Sequence, residues 1–215
     1  MNKPVVREPL RRNSRSNRAR ILATARQELG RNPDVTLEEI ARAAGVVRRT
    51  LFGHFPGRAA LLEALAEEAS ETLRGIAAGV PDAEEAPERA LARFVLSIWP
   101  VGDRYRLLLS LARQDLGTQR VSETLAPARD EATAILERGQ RAGVFHDHLP
   151  AAVLSAALEA VTLSLLESVN TGAWEDDGTR TAVATLVAAG VSDEAATSIV
   201  RDVASELRDG GASDS

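Results

Sequence analysis

Arg48, Arg49 and Thr50 stand side by side near the start of a short helical pattern, and His54 follows one turn later. Arginine makes paired hydrogen bonds to guanine O6 and N7, and a threonine methyl can meet a thymine methyl. His54 is placed for a phosphate. Such a set suits recognition of duplex DNA and offers nothing for bond making. No nucleophile elbow, phosphate-cradling glycine loop, HExxH or cysteine appears elsewhere, so an enzyme is not expected.

Two short helices and a tight turn must position these side chains. Thr36 and Glu39 have the spacing of a capping box, in which each satisfies a free backbone donor of the other. Leu37, Ile40, Ala41 and Ala44 then trace one buried stripe. Gly45 stops the helix, Ala43 and Ala44 let the next one approach, and Val46 fills the turn. Leu51 and Phe55 face back toward Ile40, which leaves Arg48, Arg49 and Thr50 pointing outward. This order of cap, stop, turn and returning aromatic describes a helix-turn-helix, whose second helix enters the major groove. An ordinary helical hairpin with solvated arginines would need no such order.

From about Arg20 to Leu65 the chain resembles the TetR family of one-component bacterial transcriptional regulators. The resemblance rests on Ile21-Leu22-Ala23-Thr24-Ala25, Gly45-Val46, Phe52-x-His54-Phe55, Arg58 and Leu61. It implies DNA contacts from Thr36, Val47, Arg48, Arg49, Thr50, Phe52, His54 and Arg58. Three positions depart from the family pattern. Val47 stands where a Ser or Ala is common, and so offers no hydroxyl cap. Phe52 replaces a Tyr and cannot donate to a phosphate. Arg58 replaces a Lys, keeping the charge but presenting a planar fork.

Charge is divided to match. The net charge is −5, yet residues 1–58 hold 13 Lys+Arg against 5 Asp+Glu, and the remainder holds 13 against 26. A basic head on an acidic body is an electrostatic footprint for nucleic acid. Hydrophobic residues make up 44% and aromatics only 3%, so the core is built mostly from Ala, Leu and Val, which favours helices. There is no cysteine, no run of eighteen apolar residues and no apolar leader, so a cytoplasmic protein without a membrane span is expected.

The expected fold is all-α, with four parts. Residues 1–16, with Pro4, Pro9, Asn13, Ser14, Ser16 and four arginines, read as a flexible basic arm. Residues 17–58 form the helix-turn-helix domain, residues 59–208 a larger helical domain, and residues 209–215 a disordered tail. The first helix is placed at Ser16–Leu29 and the fourth at Arg58–Ala78. Later ones run from Ala90 to Trp99, where Pro100 ends it, from beyond Asp103, from Ala126 to Arg141, and from Pro150 to Val169. The last two cover Thr179–Ala189 and Asp193–Leu207, the second capped by Ser192. The segment 151–169 is apolar on most of its circumference, so it is buried within one subunit or between subunits.

The resemblance implies that the larger domain binds an effector and dimerises through the last two long helices, so that paired reading helices meet a palindromic operator. Phe94, Ile98, Trp99, Tyr105, Leu108, Leu136, Thr162 and Leu166 are the candidate ligand-pocket residues. Most are apolar, which suits a small hydrophobic or amphipathic ligand, although aromatics at helical spacing are also ordinary core. Trp174 would cap a pocket mouth or plug a groove. His146-Asp147-His148 has no fourth ligand in view and reads as a solvated turn; no metal or cofactor is expected. The function expected is a homodimeric repressor released by its ligand. An activator or broad DNA binder of the same fold is the alternative, and a small-molecule-binding protein with a vestigial helix-turn-helix is a third reading.

Overall fold

The computed structural model describes residues 8–79 and 84–212. Among the described residues there are nine helices and no strand. They are α1 (Glu8–Arg31), α2 (Leu37–Ala43), α3 (Arg48–His54), α4 (Arg58–Ala78), α5 (Pro87–Asp115), α6 (Thr118–Arg141), α7 (Ala151–Asn170), α8 (Thr179–Ala189) and α9 (Asp193–Ala212). The chain divides into two compact units. One runs to Glu68 and takes in Leu107–Val121; the other comprises Ala69–Arg106 and the residues from Ser122 onward.

The first unit is built on the stripes read from the sequence. Ile21, Leu22, Ala25 and Leu29 of α1, Ile40 and Ala41 of α2, Leu51 of α3, and Leu61, Leu62 and Leu65 of α4 are all buried. Helices of seven residues do not hold themselves together in water, so α2 and α3 depend on this packing and on their ends. Thr36 Oγ1 accepts from Glu39 N at 3.2 Å, and Thr36 N donates to Glu39 Oε2 at 2.8 Å, so the capping box is complete. Gly45 lies at φ +64, a conformation that costs any residue with a Cβ.

The second unit has its own core. Leu91, Phe94 and Val95 of α5 meet Ile135 and Leu136 of α6, Leu154 and Leu158 of α7, Leu186 of α8, and Val200 and Val203 of α9. Arg93 spans Glu85 and Glu206, 2.8 Å from each, and Arg129 pairs with Glu159 at 3.0 Å.

Several expected boundaries differ. Residues 1–7 of the expected arm lie outside the described residues, but Glu8–Ser16 are helical and continue α1. Pro9 falls in the first turn, where a helix needs no backbone donor, so it starts the helix instead of forbidding it. Pro100 does not end a helix. It sits inside the 29-residue α5, and one unbroken helix replaces the two expected. Its missing N–H and ring cost a helix about 3 kcal/mol. Buried Phe94, Val95 and Trp99 on one side of it, and Val101, Tyr105 and Leu108 on the other, outweigh that. In the same way α6 starts at Thr118 and runs through Pro127. The helix α9 extends to Ala212, so residues 209–212 of the expected tail are helical, and 213–215 lie outside the described residues.

The apolar α7 is only partly buried. Ala151, Leu154, Ser155, Leu158 and Leu166 face inward, while Val153 and Val161 are 50% and 43% exposed. It is the one helix among the described residues with the length and mean hydropathy to cross a membrane. Its inward residues are instead packed into the protein.

Candidate nucleic-acid interface

The turn between α2 and α3 presents one face of α3 to solvent. Leu51 and the C-cap residue Phe55 are the inward side, 0% and 2% exposed. Val47, Arg48 and Arg49 form the outward side, and Val47 is 69% exposed, the largest value among the large hydrophobic residues described. Thr50 is half-buried; its backbone N–H donates to Val47 O at 2.9 Å, in the first turn.

Arg48 is held from two sides. Its Nη2 lies 3.0 Å from Glu38 Oε1 in the first turn of α2, and its guanidinium carbon sits 5.0 Å from the centre of the Phe52 ring. Phe52 therefore supports an arginine through its ring face, a role that needs no phenolic hydroxyl. The His54 ring is tilted against Phe55 with centroids 6.2 Å apart. Arg18 of α1 covers the same Phe55 at 5.3 Å. Thr36 is exposed, with its hydroxyl donating to Glu39 at 2.7 Å. The hydrogen bonds from Thr36 hold the Glu39 carboxyl below the usual range, with Arg42 adding a smaller effect.

Arg58 is engaged within the protein through each guanidinium nitrogen: Nε donates to Asp115 Oδ2 at 3.0 Å, Nη2 to Pro33 O at 2.7 Å and Nη1 to Val35 O at 3.4 Å. Glu38, Asp115 and Arg18 were not singled out by the sequence. Glu38 is detectable as an acid beside a capping box. Asp115 is distant in the chain, and only the fold brings it to Arg58.

The expected ligand-pocket residues are mostly buried side chains. Phe94 and Leu136 belong to the second unit's core, with Ile98 packed against it. Trp99, Tyr105 and Leu166 are each about 5% exposed or less. Leu108 belongs to the other unit. The Thr162 hydroxyl donates to Leu158 O at 2.9 Å, one turn back in its own helix. A groove of about 660 Å³ runs between α8 and α9, lined by Val183, Val187 and Val200 together with Arg180 and Arg201. None of the eight expected residues lines it. Trp174 lies under Arg180, 5.0 Å from the guanidinium carbon. In the turn after α6, His146 Nε2 is hydrogen-bonded to Ala188 O at 2.7 Å, and its ring stacks on His148 with centroids 3.8 Å apart.

Comparison with known proteins fits this geometry. Residues 21–65 match the family model for bacterial regulatory proteins of the tetR family. No curated protein matches the sequence. Among solved structures, the fatty acid degradation regulator FadR from Bacillus halodurans is 17% identical, with a TM-score of 0.68 over 80% of this chain and 94% of its own. SmeT, the repressor of the Stenotrophomonas maltophilia multidrug efflux pump SmeDEF, is 21% identical, with a TM-score of 0.63 over 80% and 89%. RolR in complex with resorcinol is 22% identical, with a TM-score of 0.52 over 88% and 95%. These likenesses show a shared fold, and residues 21–65 carry the helix-turn-helix that the tetR family model of bacterial regulatory proteins describes.

Proposed function

We propose that the chain is a homodimeric transcriptional repressor that binds a palindromic operator and is released from it by a small hydrophobic or amphipathic ligand. The outward face of α3 carries this reading. Val47, Arg48 and Arg49 stand exposed on a helix whose other side is anchored by buried Leu51 and Phe55. On this reading Arg48 and Arg49 meet base edges, Val47 and Thr50 offer methyl contacts, and His54, Thr36 and the edge of Phe52 lie beside the backbone. The basic balance of residues 1–58 supplies the attraction to phosphate.

Dimerisation is supported by exposed apolar residues of the second unit. Val153 and Val161 of α7 and Val187 of α8 are exposed large hydrophobics, and Val183 and Val200 also line the groove between α8 and α9. A second copy related by two-fold symmetry would cover them and space two α3 helices for half-sites about 34–36 Å apart. Regulation by a small molecule is supported by the neighbouring fold of RolR, solved with resorcinol.

Selection from a random duplex library at near-physiological salt tests the reading. Enrichment of a two-fold-symmetric motif is the expected result. Arg49→Ala should then weaken binding to that motif by about 1–3 kcal/mol and relax one base position per half-site. Equal affinity for random and selected duplexes would favour the broad binder instead.

A further inference from the structure

We infer that Arg58 is a positioning residue, which sets the helix-turn-helix from the end of α5 through Asp115 and makes no phosphate contact. The inference rests on the DNA-binding reading and changes the role of one of its residues. A guanidinium grips a phosphate best with a free fork of two parallel donors. Each of the three nitrogens of Arg58 already has an acceptor, two of them backbone carbonyls, so three of its five N–H groups are engaged and no nitrogen is wholly free. Asp115 also neutralises the charge that a phosphate would need, and the pair is about one-third exposed on each side.

The acceptors are not equivalent in what they fix. Pro33 and Val35 belong to the connection between α1 and α2, and the residue after Val35 is Thr36, the N-cap of α2. Arg58 opens α4, and Asp115 closes α5. One planar fork therefore joins three chain segments at the point where α2 begins. A lysine ammonium, a compact point charge, lacks the span to meet all three acceptors, which gives the arginine at this position a reason. The same corner is fastened a second time. Arg120, at the start of α6, lies 2.7 Å from Glu63 and 3.4 Å from Glu67 on α4. Glu63 and Arg58 lie on the same helix, so the α5–α6 corner is fixed to α4 at two places. A change in that corner is then felt at the cap of α2, which packs directly on the reading helix.

The test turns on a sign. Asp115→Asn removes a negative charge from the DNA-binding unit, so charge alone would tighten binding. Positioning predicts a loss of operator affinity of about three- to tenfold. The slope of log affinity against log salt stays as in the wild type, because no phosphate contact is lost. Arg58→Lys keeps the charge and should show the same loss, and the double variant should lose no more than either single one. The proposal is overturned if Asp115→Asn and Arg58→Lys both bind like the wild type, or if Arg58→Gln flattens the salt slope by about 0.9. If the wild type binds no duplex, the DNA reading fails by itself. Thermal unfolding of the same variants then decides: non-additive losses keep the Arg58–Asp115 tie, and additive ones overturn it.

Discussion

Val47→Ser should make the protein more stable and a poorer reader of its operator. Val47 is the N-cap of α3, with an extended backbone at φ −74 and ψ 150, and its side chain caps nothing. Valine is among the poor N-cap residues; a serine there accepts from a backbone N–H of the first turn and contributes about 0.5–2 kcal/mol over a non-capping residue. The loss is small because the valine is 69% exposed. With about a third of it buried, and full burial of valine worth about 1.5–2 kcal/mol, removing the methyls costs about 0.5 kcal/mol. The balance is a gain of about 0.5 kcal/mol, or a Tm rise of about 2–4 °C if the small first unit governs unfolding. Thermal unfolding followed by circular dichroism reads that gain. Fluorescence anisotropy with the selected duplex reads the other half: an exposed apolar residue leading the reading helix is kept for a contact, so affinity should fall or one base preference should change. A lower Tm would refute the capping argument. A higher Tm with unchanged affinity and preference would refute a contact role for Val47.

Two further outcomes follow from local geometry and titration. A Cβ at Gly139 would lie 2.0 Å from Phe145 Cδ2, and Phe145 is 3% exposed; Gly139→Ala should therefore destabilise by about 1–3 kcal/mol in denaturant unfolding, despite alanine's better helix propensity. Glu39, Asp177 and Glu206 are all held below the ordinary carboxylate range, by hydrogen bonds from Thr36, from Thr179, and from Arg93 and Arg89 respectively. A depressed folded value stabilises above the ordinary value and loses that contribution as pH falls through the folded one. The Tm should thus hold from pH 7 to about 5 and drop below about pH 4, and Thr36→Ala should make that drop shallower by removing the Glu39 share.

The reading head was legible because its signals are local. The capping box from Thr36 to Glu39, the stop at Gly45 and the return of Leu51 and Phe55 all fall within twenty residues, and each occurs as read. The bounds of α4 and α8 were legible for the same reason; each ends at a glycine. The prolines misled because their penalty is local while its compensation is not. Nothing near Pro100 or Pro127 says that the apolar residues on both sides of it are buried in the fold. Pocket residues were the least legible. Phe94 and Leu136 carry the pattern of any buried helical position, and periodicity cannot separate a side chain that lines a cavity from one that fills it.

The candidate interface shows a different limit, since its residue types were legible and their partners were not. Arg48 and Arg49 are adjacent and chemically identical, yet Arg48 is tied to Glu38 and laid over Phe52. An exposed pair of this kind is worth about 0.2–1 kcal/mol. That is too little to stabilise the fold, but it biases where Arg48 sits before DNA arrives. Arg58 is the stronger case. As a basic residue beside a helix-turn-helix it reads as a phosphate contact, and a partner 57 residues along the chain reverses that meaning. Basic residues near a reading helix therefore divide by what they already hold. Those exposed on α3, Arg48 and Arg49, are placed to recognise, and one bound to the loop and helix ends around it, as Arg58 is, decides where the recognising helix stands.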